Sequence, residues 1–169
     1  MFYRIRGVNL QGTSRVKKMK SDILIRKMKS EDLDDLYALL SDEEVMRYIE
    51  PPFSKEKTKV FLQDVGLCST PLIYAAEDCG AFIGYVIFHP YDKDNMEIGW
   101  VLKRNVWGKG YASYLTKVLV EKAQSLGKGA VIECSPQQHA TKHIAEKFRF
   151  CFVEKRDGCD VYRLAFIEQ

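Results

Sequence analysis

Residues 96–113 read MEIGWVLKRNVWGKGYAS, which combines an apolar run, a cationic turn with two glycines and the beginning of a helix. The run from Met96 to Leu102 contains one carboxylate, Glu97, and its pattern predicts a β-strand. From Tyr111 onward apolar residues recur at helical spacing, and Gly127 is predicted to end this helix as a left-handed cap. The residues of its predicted buried face are Leu115, Val118, Leu119, Ala123 and Leu126.

The turn between the predicted strand and helix has the composition of a phosphate-binding site. The first amides of a helix have no partner within the helix, and the helix dipole adds partial positive charge there. Gly108 and Gly110 let the backbone approach a bulky anion, and the cations Lys103, Arg104 and Lys109 surround it. An ordinary glycine-rich turn with solvated lysines explains the same composition equally well.

Two common phosphate-binding motifs fit this turn poorly. A P-loop requires Ser or Thr after its lysine, and here Lys109 is followed by Gly110. A dinucleotide fingerprint would use Gly108, Gly110 and Ser113, with Glu133 as its distal acid. Its first glycine should follow the strand directly, whereas several residues intervene here. A nucleotide-binding α/β domain stays as an alternative, which predicts thermal stabilisation by NAD or ATP.

The hexapeptide WGKGYA at residues 107–112 resembles the acetyl-CoA motif of the GNAT superfamily of N-acyltransferases, in the branch of the ribosomal-protein Nα-acetyltransferases. The family pattern is Gln/Arg-x-x-Gly-x-Gly/Ala after the fourth strand. Asn105 stands where Gln or Arg is usual, and the family binds pyrophosphate mainly through backbone amides. The resemblance covers about residues 23–150, most of the chain.

This resemblance implies the α/β GNAT fold, a mixed, mostly antiparallel sheet with splayed parallel central strands and flanking helices. It also implies acetyl-CoA as co-substrate and no metal. The pantetheine arm would hydrogen-bond to the strand, and the pyrophosphate would lie on the amides of the turn. The cofactor-binding residues implied in this way are Trp100, Val101, Leu102, Trp107, Gly108, Lys109, Gly110, Tyr111, Ala112 and Gln138.

Acetyl transfer to an amine is helped by a base, and two glutamates are candidates. Glu97 interrupts an apolar strand, where an unpaired carboxylate is costly and its pKa tends to rise. The resemblance adds that the family commonly uses an acid at this place. Glu133 lies five residues before Gln138, where another GNAT branch keeps its base. Each glutamate is also interpretable as an ion-paired or edge-strand residue.

Protonation of the leaving thiolate has no obvious donor in this chain. Many GNAT enzymes use a tyrosine at the position that aligns with Ala145. A thiol pKa of about 8.5 leaves a gap of only about 2 kcal/mol at neutral pH, which Thr141, water or the ammonium itself could bridge. Gln138 aligns with a CoA-contacting asparagine, although helix capping explains it nearly as well. Arg149 stands where the family favours glycine.

These residues predict an acetyl-CoA-dependent N-acetyltransferase in which a primary amine attacks the thioester directly. The acceptor is a protein N-terminus or a small-molecule amine. The alternative is a catalytically weak GNAT-fold sensor or interaction module that binds acyl-CoA, and thiol release on an amine panel separates the two. Eight carboxylates within residues 31–50 are explained mainly by helix first turns and solvation, with a preference for cationic amines as a secondary expectation.

Composition is that of an ordinary globular protein. The chain has 169 residues, of which 46% are hydrophobic and 29% charged, enough for one domain with its own core. No apolar run approaches the roughly 20 residues that a bilayer requires, and no signal core is evident. Five cysteines without a Cys-x-x-Cys pair suggest reduced thiols rather than disulfides or zinc. We therefore expect a soluble cytoplasmic protein, either a monomer or a homodimer.

Charge is distributed unevenly along the chain. Residues 1–22 hold six basic residues against Asp22 alone, a net charge of +5, while 20 basic and 22 acidic residues follow. The excess therefore lies in one terminal segment, which argues against a nucleic-acid partner, and no membrane partner is expected. The predicted organisation is a basic extension at 1–22 and a catalytic domain at 23–169.

The first half of this domain is predicted to begin with a strand at Ile23–Lys27. Three helices follow, capped by Ser30, by a capping box that begins at Ser41, and by Ser54. The inward face of the first helix is predicted to consist of Leu33, Leu36, Tyr37 and Leu40.

The second half is predicted to be mainly sheet. Alternation predicts a meander of strands at 72–76, 81–89 and 96–102, then a buried strand at 130–134 parallel to the last of them. A helix follows that strand, and Asp157-Gly158 is typical of a β-hairpin. The predicted inward residues of that helix are Ala140, Ile144, Ala145 and Phe148.

Overall fold

A seven-stranded sheet forms the centre of the computed structural model, which describes residues 22–166. Its strands are β1 (Ile23–Lys27), β2 (Ile73–Asp78), β3 (Ala81–Pro90), β4 (Asn95–Leu102), β5 (Gly129–Cys134), β6 (Cys151–Arg156) and β7 (Cys159–Leu164). The α-helices are α1 (Leu33–Leu40), α2 (Glu43–Met46), α3 (Lys55–Phe61), α4 (Tyr111–Ser125) and α5 (His139–Lys147). The predicted extension at 1–22, apart from Asp22, lies outside the described residues, as does the end of the predicted domain.

The strands lie in the order β1-β2-β3-β4-β5-β7-β6, and every neighbouring pair is antiparallel except β4 and β5. The parallel pair is joined through α4, as the helical periodicity predicts. β7 lies between β5 and β6, because the closing hairpin folds back into the sheet. Asp157 and Gly158 both have positive φ, 50° and 84°, which is the backbone of a tight hairpin turn. The predicted mixed, mostly antiparallel sheet is confirmed.

The parallel strands separate soon after they meet. Only three residue pairs join them, Asn95 with Gly129, Met96 with Ala130 and Glu97 with Val131, although both strands continue. A Cβ on Gly129 would lie 2.3 Å from Asn95 Oδ1 and 2.7 Å from Leu164 O, so glycine is required for this close approach. The strands are held together at one end and open at the other, which confirms the predicted splay.

Two apolar clusters cover the two faces of the sheet. On one face Ile98 and Leu102 of β4 pack with α4, whose Leu115 is fully buried. On the other face Val101 packs with the residues of α1 and the chain around α3. Full burial of one leucine contributes about 1.5–3 kcal/mol. Because side chains alternate along a strand, Glu97 projects from the same face as Val101, away from α4.

Three details of the helices correct the sequence predictions. Ser30 does not cap α1: it begins a 3-10 turn, Ser30–Asp32, and α1 follows at Leu33. The last residue of this turn, Asp32, is buried and forms an ion pair with Arg26, which donates to its two carboxylate oxygens at 2.7 and 2.8 Å. The predicted inward face of α1 is also shifted, since Leu39 is buried and Tyr37 only half-buried.

Of the other two predicted helix caps, one is displaced by one residue and one is confirmed. Asp42, rather than Ser41, caps α2 by accepting hydrogen bonds from the amides of Glu44 and Val45. Ser54 caps α3 as predicted, with its Oγ 3.1 Å from the Lys57 amide nitrogen.

In α4 and α5 some predictions are confirmed and others are wrong. Gly127 has φ 68° and ends α4 as predicted, but Leu126 remains 49% exposed and does not belong to the core. Ala140 of α5 is exposed rather than inward. Arg149 takes up the left-handed conformation, φ 64°, at the position where a glycine is expected.

None of the helices among residues 22–166 has the length and apolar character needed to cross a membrane.

Candidate active site

A cleft of about 620 Å³ opens where β4 and β5 separate. The end of β4, the following turn, the start of α4 and the start of α5 form its walls. All the residues predicted to bind the cofactor line this cleft except Lys109, and Thr141 lines it as well. These residues are Trp100, Val101, Leu102, Trp107, Gly108, Gly110, Tyr111, Ala112 and Gln138. The structure therefore gathers nearly the whole predicted set around one concave surface.

The turn before α4 exposes backbone amides to this cleft. Gly108 and Gly110 have φ 70° and 85°, conformations that side chains with a Cβ rarely adopt. Gly110 precedes α4 and supplies no side-chain cap, and its carbonyl accepts the first helical hydrogen bond from the Tyr114 amide at 3.0 Å. The amides of the first helical turn, including those of Ala112 and Ser113, have no partner within the helix. This geometry suits an anion.

Trp107 is held in place at the corner of the turn. Its indole Nε1 donates to the Leu102 carbonyl at 2.8 Å, which links the turn to the end of β4. The ring is nevertheless 48% exposed beside the cleft. The hydrogen bond therefore fixes the position of the glycine turn relative to the strand without burying the tryptophan.

The cations predicted around the anion are placed differently from expectation. Lys103 Nζ lies 2.5 Å from Asp35 Oδ1, and Arg104 Nε lies 2.9 Å from Asp42 Oδ2. Both side chains are thus paired with carboxylates of the α1–α2 region, and neither they nor Lys109 line the cleft. None of the three predicted cations lines the cleft, so an anion at the turn would be held by the backbone amides and the helix dipole rather than by these side chains.

The opposite wall is the start of α5. Gln138 Oε1 accepts a hydrogen bond from the Ser135 amide at 2.8 Å, which closes the turn before α5. The helix itself begins at His139, and the Gln138 side chain does not cap it, contrary to the capping interpretation. Gln138 also lines the cleft, and its predicted role in cofactor binding is compatible with this position. Thr141 is half-buried one turn further along. Ala145, at the position of the usual tyrosine, is fully buried in the core and does not line the cleft.

One complete wall of the cleft was not predicted from the sequence. The chain from α2 to the residues just after it faces the start of α5 across the cleft and contributes polar and apolar side chains: Glu44, Val45, Arg47, Tyr48 and Ile49. Tyr48 and Ile49 are each 43% exposed, an unusual exposure for apolar side chains. Further residues missed on the other walls are Val106, Ser113, Gln137, His139, Ala140 and Ile144.

Glu97 lies at the closed end of the split rather than in the cleft. It belongs to the last pair that joins β4 to β5, and it is not among the residues lining the cleft. Its side chain is 23% exposed, and its Oε2 lies 3.3 Å from Nε2 of His89. Burial raises the pKa of Glu97, the nearby charge of His89 lowers it, and Glu133 raises it further, with a net rise.

Glu133 is on the same face as Glu97, further along β5, and it also lies outside the cleft lining. Its Oε1 accepts a hydrogen bond from the Tyr91 hydroxyl at 2.5 Å. Burial and the hydrogen bond to Glu133 raise the pKa of Tyr91 to about 12, so the phenol remains a donor at neutral pH. Arg156 donates to the same hydroxyl at 2.8 Å, and Arg163 lies over the ring. Glu133 is thus engaged in a polar network.

Two other kinds of site, a metal centre and a nucleophilic thiol, have little support in the described residues. No group of three or more His, Cys, Asp or Glu side chains among residues 22–166 is arranged to hold a metal ion. Cys134 is buried at the end of β5, and burial raises the pKa of its thiol to about 11, which disfavours a nucleophilic thiolate.

Comparison with known proteins agrees with this geometry. The family model described as Acetyltransferase (GNAT) domain matches residues 22–151. The uncharacterized N-acetyltransferase YnaD of Bacillus subtilis (strain 168) is 29% identical over 163 residues, which cover 87% of this chain and 94% of that protein.

Solved structures share the fold at lower identity. RimL, a ribosomal alpha-N-protein acetyltransferase solved with coenzyme A, superimposes with a TM-score of 0.73 at 17% identity, covering 86% of this chain and 94% of that one. A spermidine N-acetyltransferase from Vibrio cholerae, solved with CoA and spermine, gives a TM-score of 0.70 at 18% identity, covering 85% and 94%.

Proposed function

Because this chain belongs to the GNAT acetyltransferase family and is an N-acetyltransferase, we propose that it moves the acetyl group of acetyl-CoA to a primary amine that attacks the thioester directly. The observation that carries the proposal is the split between β4 and β5, with the glycine turn and the start of α4 on one wall. A strand edge and a set of uncapped amides thus meet in one cleft.

The donor is proposed to lie along the free edge of β4. Beyond Glu97 this strand has no partner in β5, so its backbone groups facing the split are available to the amides and carbonyls of pantetheine. The diphosphate then lies on the turn formed by Gly108 and Gly110 and on the first amides of α4. A backbone N–H near Trp100 to Leu102 is the proposed donor to the tetrahedral oxyanion, an interaction worth about 3 kcal/mol.

The acceptor has to lose a proton before or during attack. An alkylamine with a reference pKa of about 10.4 requires about 4 kcal/mol of deprotonation at pH 7. Glu97 is the proposed base, because Glu133 is already engaged by Tyr91. Trp100 is the first residue of β4 to line the cleft, and Glu97 precedes it by three residues, about 10 Å of strand. The proton therefore travels through water.

Protonation of the leaving thiolate requires less catalytic assistance than deprotonation of the amine. Its pKa of about 8.5 lies close to neutral, so protonation by water or by the ammonium product is sufficient without a dedicated tyrosine. Thr141 is the cleft residue proposed to orient such a water. Ala145 is fully buried and has no acidic group, so no side chain at that position can protonate the thiolate. The same observation favours the alternative of a slow enzyme or an acyl-CoA sensor.

The acceptor is proposed to enter between α2 and the start of α5. Glu44 and the half-exposed Tyr48 line this side of the cleft. Arg47 also lines this side, where its guanidinium pairs with Glu44 at 3.3 Å and lies 6.0 Å from the centre of the Tyr48 ring. This carboxylate and ring therefore already hold a cation and do not by themselves select a positively charged amine. RimL and the spermidine enzyme are named for a protein N-terminus and a polyamine respectively, and both acceptor classes belong in the test.

A thiol-release assay tests this proposal. The purified protein is incubated with acetyl-CoA and a panel that contains ribosomal-protein N-terminal peptides, spermidine, spermine and simple alkylamines. We expect amine-dependent release of free CoA with at least one member, together with an acetylated product by mass spectrometry. Binding of acetyl-CoA without turnover on a broad panel would favour the sensor. Thermal stabilisation by NAD or ATP but not by acetyl-CoA would reject both.

A further inference from the structure

His89 and Glu97 are cross-strand neighbours at the closed end of the split. They are directly opposed in the β3–β4 register, and their side chains project from the same face of the sheet. The imidazole Nε2 and the carboxylate Oε2 are 3.3 Å apart, with side-chain exposures of 20% and 23%. The histidine is therefore within ion-pair distance of the proposed base when its ring is protonated.

The other ring nitrogen fixes where the protons lie. His89 Nδ1 is 3.0 Å from the carbonyl oxygen of Pro90, which only accepts hydrogen bonds, so Nδ1 carries a hydrogen and donates it. In a neutral ring Nε2 would then present a lone pair to a carboxylate oxygen. That contact becomes attractive only when a proton lies on one of the two atoms. The 3.3 Å separation therefore suits a pair that holds one proton more than a neutral imidazole and a carboxylate.

The surroundings oppose the charge on Glu97 from the other directions. Glu133 on β5 is a second carboxylate on the same face, and the Tyr91 hydroxyl that donates to it sends no hydrogen bond to Glu97. Burial raises the pKa of the Cys159 thiol on β7, and the charges of Glu133 and Glu97 are among those that raise it further. Arg156 and Arg163 are directed at Tyr91 and at their own carboxylate partners, Glu154 and Asp92. His89 is thus the group whose charge favours an ionised Glu97.

We propose that His89 is a positioning residue that keeps Glu97 in its anionic, proton-accepting form by carrying the proton that the two side chains share. This inference rests on the proposed function, because it assigns a partner to the proposed base. No new bond to substrate is required: His89 acts on Glu97, and Glu97 acts on the water that leads to the amine.

Two substitutions should move the charge state of Glu97 in opposite directions. His89→Gln keeps a hydrogen-bond donor near the carboxylate and removes the positive charge, so Glu97 accepts a proton at higher pH. Glu133→Gln removes the repelling carboxylate, so Glu97 stays ionised to lower pH. The acidic limb of the kcat/KM profile reports this ionisation in the free enzyme. We expect it to move up by about one pH unit or more in the first variant and down in the second.

His143→Gln is the matched control, since His143 is an exposed histidine of α5 that does not line the cleft. Its acidic limb should coincide with that of the wild type. An acidic limb in His89→Gln that stays in place or moves to lower pH overturns the inference, as would an equal shift in the control.

NMR of the full-length protein separates this inference from the proposed function. The ring nitrogens of His89 should show the Nδ1–H tautomer at high pH, and the Glu97 carboxyl carbon should titrate at higher pH in His89→Gln than in the wild type. An Nε2–H tautomer, or a Glu97 titration unchanged by the substitution, overturns the coupling whatever the activity. If His89→Gln does not fold, the tautomer in the wild type decides the question: an Nδ1–H ring supports the coupling, and an Nε2–H ring overturns it. Normal turnover in Glu97→Gln would instead reject only its role as base.

Discussion

Glu97 pairs with Val131 as the last link between the two parallel strands, and beyond this pair the strands diverge. The cleft begins on the far side of this link, so the proposed base lies at the closed end of the space that would hold the thioester. A carboxylate at this end is partly buried, does not block the proposed cofactor site, and can reach the cleft through water. The relationship between this pair and the cleft leads to a first prediction about catalysis.

Glu97→Gln should lower kcat/KM for the best amine by a factor of about 100 to 10,000, the usual contribution of a general base. The substitution preserves shape, and Glu97 does not line the cleft, so the dissociation constant for CoA should change little. Steady-state kinetics with parallel calorimetry measures both quantities. Undiminished turnover would remove Glu97 from the mechanism, and Glu133→Gln would then be the next variant to assay.

Gly108→Ala should weaken CoA binding more than it weakens the fold. An added Cβ would meet nothing within 4 Å, so its effect arises from the left-handed backbone at φ 70°, which costs about 1–2 kcal/mol. Relaxation of that strain would turn the amides away from the diphosphate. The matched control is Gly158→Ala in the β6–β7 hairpin, where φ is 84° and the added Cβ is equally unobstructed.

Both glycine variants should lose similar stability, a few degrees in Tm, and only Gly108→Ala should lose CoA affinity. Thermal unfolding and calorimetric titration provide the two values. Equal CoA affinity in the two variants would show that the glycine turn does not hold the cofactor.

Gln138 has two separable contributions, which two substitutions distinguish. Gln138→Ala removes the acceptor for the Ser135 amide and should cost about 1 kcal/mol of stability. Gln138→Glu keeps the acceptor and should restore the stability, but it lacks the amide donor and adds negative charge beside the proposed cofactor. We expect its CoA affinity to be lower than that of the wild type. If both variants bind CoA normally, Gln138 serves only to close the turn before α5.

The buried ion pair of Arg26 and Asp32 should dominate the acid sensitivity of the fold. Burial, the largest single influence, opposes ionisation of Asp32. The hydrogen bonds from Arg26 and from the Lys29 amide, together with the charges of these two residues, outweigh it and hold the pKa of the carboxyl below its usual range. A carboxyl with a depressed folded-state pKa contributes stability above the unfolded value of about 3.9 and loses it as pH falls through the folded value. The loss should therefore occur below about pH 4.

Asp32→Ala should remove this contribution and cost about 3–5 kcal/mol at pH 7, since it leaves the buried Arg26 with one carboxylate partner, Glu77, and the Lys27 carbonyl among the described residues. Glu50→Ala breaks the exposed pair with Lys57, both about half exposed, and should cost less than about 1 kcal/mol. Urea unfolding at pH 7 and pH 3 compares them. A similar cost for both variants would contradict the burial argument.

The sequence predicted the local features of the site well because they depend on neighbouring residues. The strand, the glycine turn and the start of α4 lie within 96–113, and their period, glycines and apolar spacing are visible without tertiary information. Gly127 and the Asp157–Gly158 turn were predictable for the same reason, since each requires a specific backbone conformation.

Features that depend on distant partners were not predictable. Lys103 and Arg104 looked like phosphate ligands, yet each pairs with a carboxylate more than 60 positions earlier. Ser30 looked like a cap, but the buried guanidinium of Arg26 engages Asp32 and changes the first turn. The α2 wall of the cleft likewise carries no local motif, because only the packing of α2 beside the start of α5 makes its residues part of the site.

Calorimetric titration of acetyl-CoA into the wild-type protein tests the central claim most directly, because every step proposed here begins with the coenzyme bound in the split between β4 and β5. We predict saturable binding with one molecule per chain, with clearly lower affinity in Gly108→Ala and unchanged affinity in Gly158→Ala. The absence of any binding heat at several temperatures, or equal binding by all three proteins, would contradict the account.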